Sequence, residues 1–191
     1  QEFFSMISLH VDNFTISSDS AERLSLIATS LSNKFEMTHD GEIHHALGLT
    51  IERDLTKKLI FISQKNYIKL LLVKFSMADA KSVKTPMEAL TISSSDCPLL
   101  GSAEQLEMAA VPYREACGVL MSLAINSRPD ILYAVGVGCR YMHNPGRAHW
   151  SLLKRIMKYL IGTLDLRLCL GGATLSAGLL ESQYSTRIEG Q

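Results

Sequence analysis

Apolar and polar residues alternate on both sides of a short polar step: Ile7, Leu9 and Val11 lead into Asp12-Asn13, and Phe14 and Ile16 lead out. A period of two on each flank with turn-forming residues between them specifies two antiparallel strands joined by a two-residue turn, here read as Asp12-Asn13. A lone hairpin cannot bury its apolar face, so the chain must supply helices or further strands to cover it.

The following residues supply them. Leu24, Ile27, Leu31 and Phe35 recur at helical spacing behind the N-cap candidates at 18–20. Leu47, Leu49 and Ile51 alternate, a polar turn covers 54–57, and Leu59 and Phe61 return, which predicts a second hairpin. Ser63 is placed to cap a helix with Tyr67, Leu70, Leu71 and Phe75 on one face. From 76 to 112 the periodicity fades into Thr85-Pro86, Ser93-Ser94-Ser95-Asp96 and Pro98, which is loop chemistry. Helices are then predicted over 113–125, 129–142 and 148–160, with Ser127 and Pro129 starting the second, Asn144-Pro145 ending it and Gly162 stopping the third. The expected class is α+β.

A chain of 191 residues with 47% hydrophobic and 20% charged content can bury one core and a smaller second one. Nineteen Lys and Arg balance nineteen Asp and Glu, against the basic excess usual for a nucleic-acid binder. The charge is uneven: Arg140, Arg147, Lys154, Arg155, Lys158 and Arg167 share their stretch with Asp165 as its only acid. Cys97, Cys117, Cys139 and Cys169 form no Cys-x-x-Cys pair and follow no basic, apolar leader. They are expected to be reduced, mostly buried thiols of an intracellular protein, cytoplasmic or nuclear and not secreted. No apolar run is long enough to span a bilayer, so no membrane association is expected.

Adjacent carboxylates on a tight strand turn can hold divalent metals for phosphoryl transfer. Here Asp12 is followed by the amide of Asn13, which leaves a weak and incomplete metal site. His39, Asp40, Glu42, His44 and His45 are rich in ligand types, but neighbouring His44 and His45 on a strand point to opposite faces. Lys154 and Lys158 stand at i,i+4 with Arg155 beside them, a spacing suited equally to tracking a phosphate backbone and to a solvated helix face.

His10-Val11-Asp12-Asn13 stands where the reverse transcriptase of copia-type (pseudovirus) LTR retrotransposons, which this chain resembles in several ordered blocks, has Tyr-Val-Asp-Asp. Phe35-Glu36-Met37, Gly41-Glu42-Ile43 and Leu47-Gly48-Leu49 follow in family order, then Ser63-Gln64-Lys65-Asn66-Tyr67-Ile68 and Lys74-Phe75-Ser76-Met77 through Lys84-Thr85-Pro86-Met87. Tyr113-Arg114, Gly118, Leu120-Met121, Arg128-Pro129-Asp130-Ile131 and Tyr133-Ala134-Val135 continue the match, and His149-Trp150, Lys154-Arg155-Ile156 and Tyr159-Leu160-Ile161-Gly162-Thr163 close it. The blocks extend over residues 9–170.

The resemblance implies a remnant of the polymerase palm with its second hairpin over 1–81, a loop or linker over 82–112, a helical thumb and connection region over 113–170, and a divergent tail over 171–191. It implies Mg²⁺ as cofactor and an RNA/DNA template-primer as partner, with Gly48 on a strand near the primer terminus and Lys154, Arg155 and Lys158 toward nucleic acid. The family's remaining catalytic Asp, its fingers and its ribonuclease H domain have no counterpart in these residues, so they are expected from other segments of a parent Pol polyprotein. Asp12 with a degenerate Asn13 is then too little to hold Mg²⁺ tightly, and the chain is expected to be inactive alone. A non-enzymatic nucleic-acid-binding or interaction module derived from a retrotransposon is the alternative.

Overall fold

The computed structural model describes residues 4–88, 92–171 and 184–190. The chain divides into two units, residues 1–62 with 169–191, and residues 63–168.

In the first unit, β1 (Ser5–His10) and β2 (Asn13–Ser18) form the predicted hairpin, followed by α1 (Ala21–Ser32) and β3 (Met37–Glu42). The turn lies one residue earlier than the sequence suggested: His10 pairs with Asn13, so Val11 and Asp12 are the two loop residues and Asn13 opens β2. Ser20 caps α1 by accepting the Arg23 N–H. Ser18 instead ties the strands together, its Oγ lying 2.9 Å from Ser5 Oγ and accepting the Ser20 N–H at 3.3 Å. Ala28 and Ile16 are buried together, with Phe14, Leu24, Ile27, Leu31 and Met37 partly buried around them. Phe35 lies beyond the end of α1 and is exposed.

Four strands make this sheet, in the order β1-β2-β8-β3, where β8 is Tyr184–Gly190. The tail read as divergent therefore returns a strand to the sheet interior, with Glu189 opposite Asn13 in the backbone register. Residues 172–183 and 191 of that tail lie outside the described residues. A second sheet has the order β4-β5-β6-β7, from His45–Ala46, Leu49–Asp54, Leu59–Ser63 and Leu168–Gly171. Leu47 and Gly48 form the tight turn between β4 and β5, both at positive φ, so Gly48 is a turn glycine and not a strand glycine.

The second unit holds α2 (Lys65–Lys74), α3 (Ala103–Ala109), α4 (Tyr113–Asn126), α5 (Leu132–Cys139) and α6 (Arg147–Gly162). Ser63 ends β6 and Gln64 occupies the N-cap of α2 without a side-chain cap bond. The buried face of α2 is Ile68, Leu71 and Leu72, and Leu70 points to solvent. The predicted helix over 129–142 begins as a 3₁₀ turn at Pro129–Ile131 and continues as the shorter α5. Residues 82–112 are no linker: α3 lies within them, and Met87, Ile92 and Met108 pack on the core formed by Leu120, Leu123, Leu153, Ile156 and Leu160. Among the described residues no single helix is long and apolar enough to cross a membrane.

Candidate catalytic hairpin and basic helix face

Val11 sits at φ +54°, a left-handed conformation that strains a β-branched residue. Only the first of the two loop residues has positive φ, the pattern of a type II′ turn, which matches the right-handed twist of the paired strands. The strain lifts Asp12 to the exposed tip, while Asn13 is half buried at the head of β2. A two-metal centre needs several carboxylates converging within reach of both ions. Asp12 is the one acid on this turn, and among the described residues no three His, Cys, Asp or Glu side chains gather to hold a metal. The residues present therefore do not fit a bound Mg²⁺ pair.

The histidine-rich stretch is likewise dispersed. His39 Nδ1 accepts the Gly41 N–H at 3.2 Å, the His44 carbonyl accepts the Ile51 N–H at 2.8 Å, and His45 is in β4. At Gly48 an added Cβ would meet nothing within 4 Å, so its positive φ, and not close approach of another backbone, requires glycine there.

On α6 the three predicted basic residues separate by role. Arg155 reaches Glu88 at 2.5 Å and donates to Thr85 Oγ1 at 3.0 Å, a tether to the preceding loop. Lys154 and Lys158 form no ion pair among the described residues and line, with Arg155, Val83, Met87 and Glu88, a cavity of about 500 Å³. Arg147 is also answered locally, by Glu107. Of the four basic side chains on α6, Arg147 and Arg155 are thus answered by acids from residues 82–112, and among the described residues Lys154 and Lys158 are not.

A buried polar network was hidden from the sequence. The Arg128 side chain is 2% exposed and makes a bidentate contact to Asp130, 2.9 Å from Nε to Oδ1 and 2.7 Å from a terminal nitrogen to Oδ2. It also donates to the Thr163 carbonyl at 3.0 Å and to Thr163 Oγ1 at 2.7 Å. Tyr159 donates its hydroxyl to Asp130 at 2.9 Å and lies with its ring beneath the guanidinium. Beside Arg128 in sequence, Ser127 donates to the buried Gln64 Oε1 at 2.7 Å, fixing the start of α2. The available signal was the pairing of Arg128-Pro129-Asp130 with Tyr159 and Thr163, polar residues recurring among apolar helix positions.

Residues 3–89 match the family model described as reverse transcriptase (RNA-dependent DNA polymerase). The chain is 38% identical over 171 residues to the retrovirus-related Pol polyprotein from transposon TNT 1-94 of Nicotiana tabacum, which covers 89% of this chain and 13% of that protein. It is 34% identical over 157 residues to the Pol polyprotein from transposon RE2 of Arabidopsis thaliana, covering 82% of this chain and 10% of that one. The chain is a reverse-transcriptase-like segment of the copia type. An uncharacterized mitochondrial protein of Arabidopsis thaliana is 33% identical over 156 residues, 82% of this chain and 61% of its own length. No solved structure matches.

Many of the blocks that carry the kinship of this reverse-transcriptase-like segment are packing devices. Arg128, Asp130, Tyr159 and Thr163 meet in the polar network above, Gln64 receives Ser127 beside it, His149 holds the start of α6 and Trp150 packs against Phe75 and Tyr113. His149 is fully buried, accepts the Gly146 N–H at Nδ1 at 2.9 Å and stacks on Tyr141 with ring centroids 4.1 Å apart. Its Nε2 has no hydrogen-bond partner of ordinary geometry. Burial holds its pKa below the usual imidazole value, against the opposing pull of the Ser93 carbonyl, Asp96 and Glu104. Of the four free thiols Cys117 alone is buried, Cys97 and Cys139 are half buried, and Cys169 is exposed, so the expectation of mostly buried thiols is corrected. Burial pushes the Cys117 thiol up to about 12, which rules it out as a nucleophile at neutral pH.

Proposed function

We propose that this chain serves as part of a copia-type reverse transcriptase, contributing the catalytic-turn hairpin of the palm and a helical thumb and connection region, and that it is inactive as a polymerase by itself. The observation carrying this reading is Asp12, a single exposed carboxylate on a strained Val11-Asp12 turn with an amide at Asn13. Reverse transcriptases work with divalent metal, and one anionic ligand is too few to hold a pair of such ions. In this reading the remaining carboxylates come from other segments of the parent polyprotein. Lys154 and Lys158 meet the backbone of an RNA/DNA template-primer in the cytoplasm or nucleus, and Gly48, in the exposed turn between β4 and β5, lies toward the primer terminus.

A primer-extension assay tests the claim. Purified chain with Mg²⁺ or Mn²⁺, a primed RNA template and nucleotides is expected to give no product above background. Template-dependent extension that disappears in Asp12→Ala would overturn it. Asn13→Asp returns one charge to the turn, and it is expected to bind Mn²⁺ slightly better without starting synthesis.

A further inference from the structure

Among the described residues β1 is the outer strand of its sheet, and its sequence Ser-Met-Ile-Ser-Leu-His contains no Lys, Asp, Glu or Pro. Its pairing with β2 runs through six consecutive positions without a bulge. Natural edge strands are ordinarily blunted by an inward charge, a proline or a bulge, because an unblunted edge offers a row of free N–H and C=O groups to another strand. None of these devices is present here.

The side chains add an apolar component to that backbone edge. Ile7 stands opposite Ile16 and Leu9 opposite Phe14, so both lie on the sheet face that carries the cluster beneath α1. Ile16 is fully buried, but Ile7 is 48% and Leu9 59% exposed, because α1 does not reach over β1. The apolar face therefore continues past its cover to the open edge. The sequence carries no net charge and has an isoelectric point near 7.2, so identical chains meet at neutral pH without mutual repulsion.

We propose that β1 is a self-association surface, on which a second copy of this chain adds its own β1 antiparallel to the first about a two-fold axis. The two sheets join into one, with Ile7 and Leu9 of each copy set beside those of the other. An edge that is uncharged and symmetric in its demands fits its own copy without any charge complement.

Sedimentation velocity across a concentration series at neutral pH tests the proposal, together with hydrogen exchange of the β1 amides. The wild-type chain is expected to pass from monomer to dimer as concentration rises, with β1 amides slowing in step. Ile7→Lys with Leu9→Lys places like charges across the joint and is expected to weaken dimerisation at least about tenfold. Leu26→Lys, on an exposed position of α1 away from the edge, is expected to leave it unchanged. A chain that stays monomeric throughout overturns the proposal, as does a dimer that tolerates both edge lysines or is weakened equally by Leu26→Lys. Should the double variant misfold, wild-type β1 amides whose exchange ignores concentration overturn it equally.

Discussion

Arg128 grips Asp130 two residues along the chain through both carboxylate oxygens, at 2.9 and 2.7 Å, across the proline that separates them. The guanidinium is buried while a third of the Asp130 side chain is exposed, so the carboxylate is the solvent-facing half of a pair whose cation has no other counter-ion among the described residues. Asp130→Asn leaves that cation uncompensated. It is expected to lower the unfolding free energy by about 2–3 kcal/mol, read by urea unfolding followed through Trp150. A loss below about 0.5 kcal/mol would show that the Thr163 contacts suffice alone.

Acid should destabilise the helical unit in two stages. His149 is buried with its pKa below the ordinary 6.5, so the unfolded chain takes up a proton first and stability falls as pH drops below that value. Burial alone would raise the Asp130 pKa, but Arg128 and the Tyr159 hydroxyl outweigh it and hold the carboxyl below its ordinary 3.8. That contribution is complete above 3.8 and is lost as pH falls through the folded value. His149→Asn keeps an acceptor for the Gly146 N–H without a titrating ring. Its unfolding midpoint is expected to stay flat between roughly pH 7 and pH 5, where the wild type declines.

Val11 is expected to be a costly residue in its place. It is largely exposed, so replacing it removes little packing, and its φ of +54° suits glycine. Val11→Gly should slow exchange of the β1 and β2 amides, equivalent to a gain of about 0.5–1 kcal/mol, where glycine in an ordinary strand would cost a similar amount.

Nucleic-acid binding is expected to depend on two lysines and not on the arginine between them. Lys154→Ala with Lys158→Ala should weaken binding to an RNA/DNA hybrid irrespective of its sequence and reduce the slope of log K against log salt by up to about 2. Arg155→Ala is expected to leave the slope unchanged and to loosen the loop it holds through Glu88 and Thr85. A slope that drops with Arg155→Ala would assign the contact to the arginine.

Periodicity made the first hairpin, α1, α4 and α6 legible: β2 and the three helices each turn one regular face to a core, and β1 keeps the same alternation although its side chains stay exposed. The hairpin turn was misplaced by one residue because Asp-Asn is the better turn former and a valine at positive φ is a poor choice on local grounds. Tertiary pairing of His10 with Asn13 overrides that preference. Residues 82–112 read as loop because Met87, Ile92 and Met108 follow no period, and their burial is decided by the helices they pack on. Arg128 gave no sign of its burial, since an arginine is ordinarily a surface residue until a carboxylate and a carbonyl are found to receive it. At the candidate site Asp12 was legible from its place between strands, and the separation of His44 from His45 was expected from their adjacency, whereas the place of His44 ahead of β4 needed the fold.

The helical unit is spliced into the other one as a closed detour. The chain leaves β6 at Ser63 and re-enters at Leu168, and β6 and β7 are neighbours in one sheet, with Gly171 packed against the Lys58 carbonyl at the far end, so the two strands run antiparallel. Lys65 and Asp165 clasp each other at 2.5 Å where the detour begins and ends. Entrance and exit are thus adjacent, and a short reverse turn between Ile62 and Cys169 could stand in for everything from 63 to 168. The same closeness makes the detour portable: a loop joining its own two ends would give a permutable cassette, transferable into any host whose strands are spaced like β6 and β7.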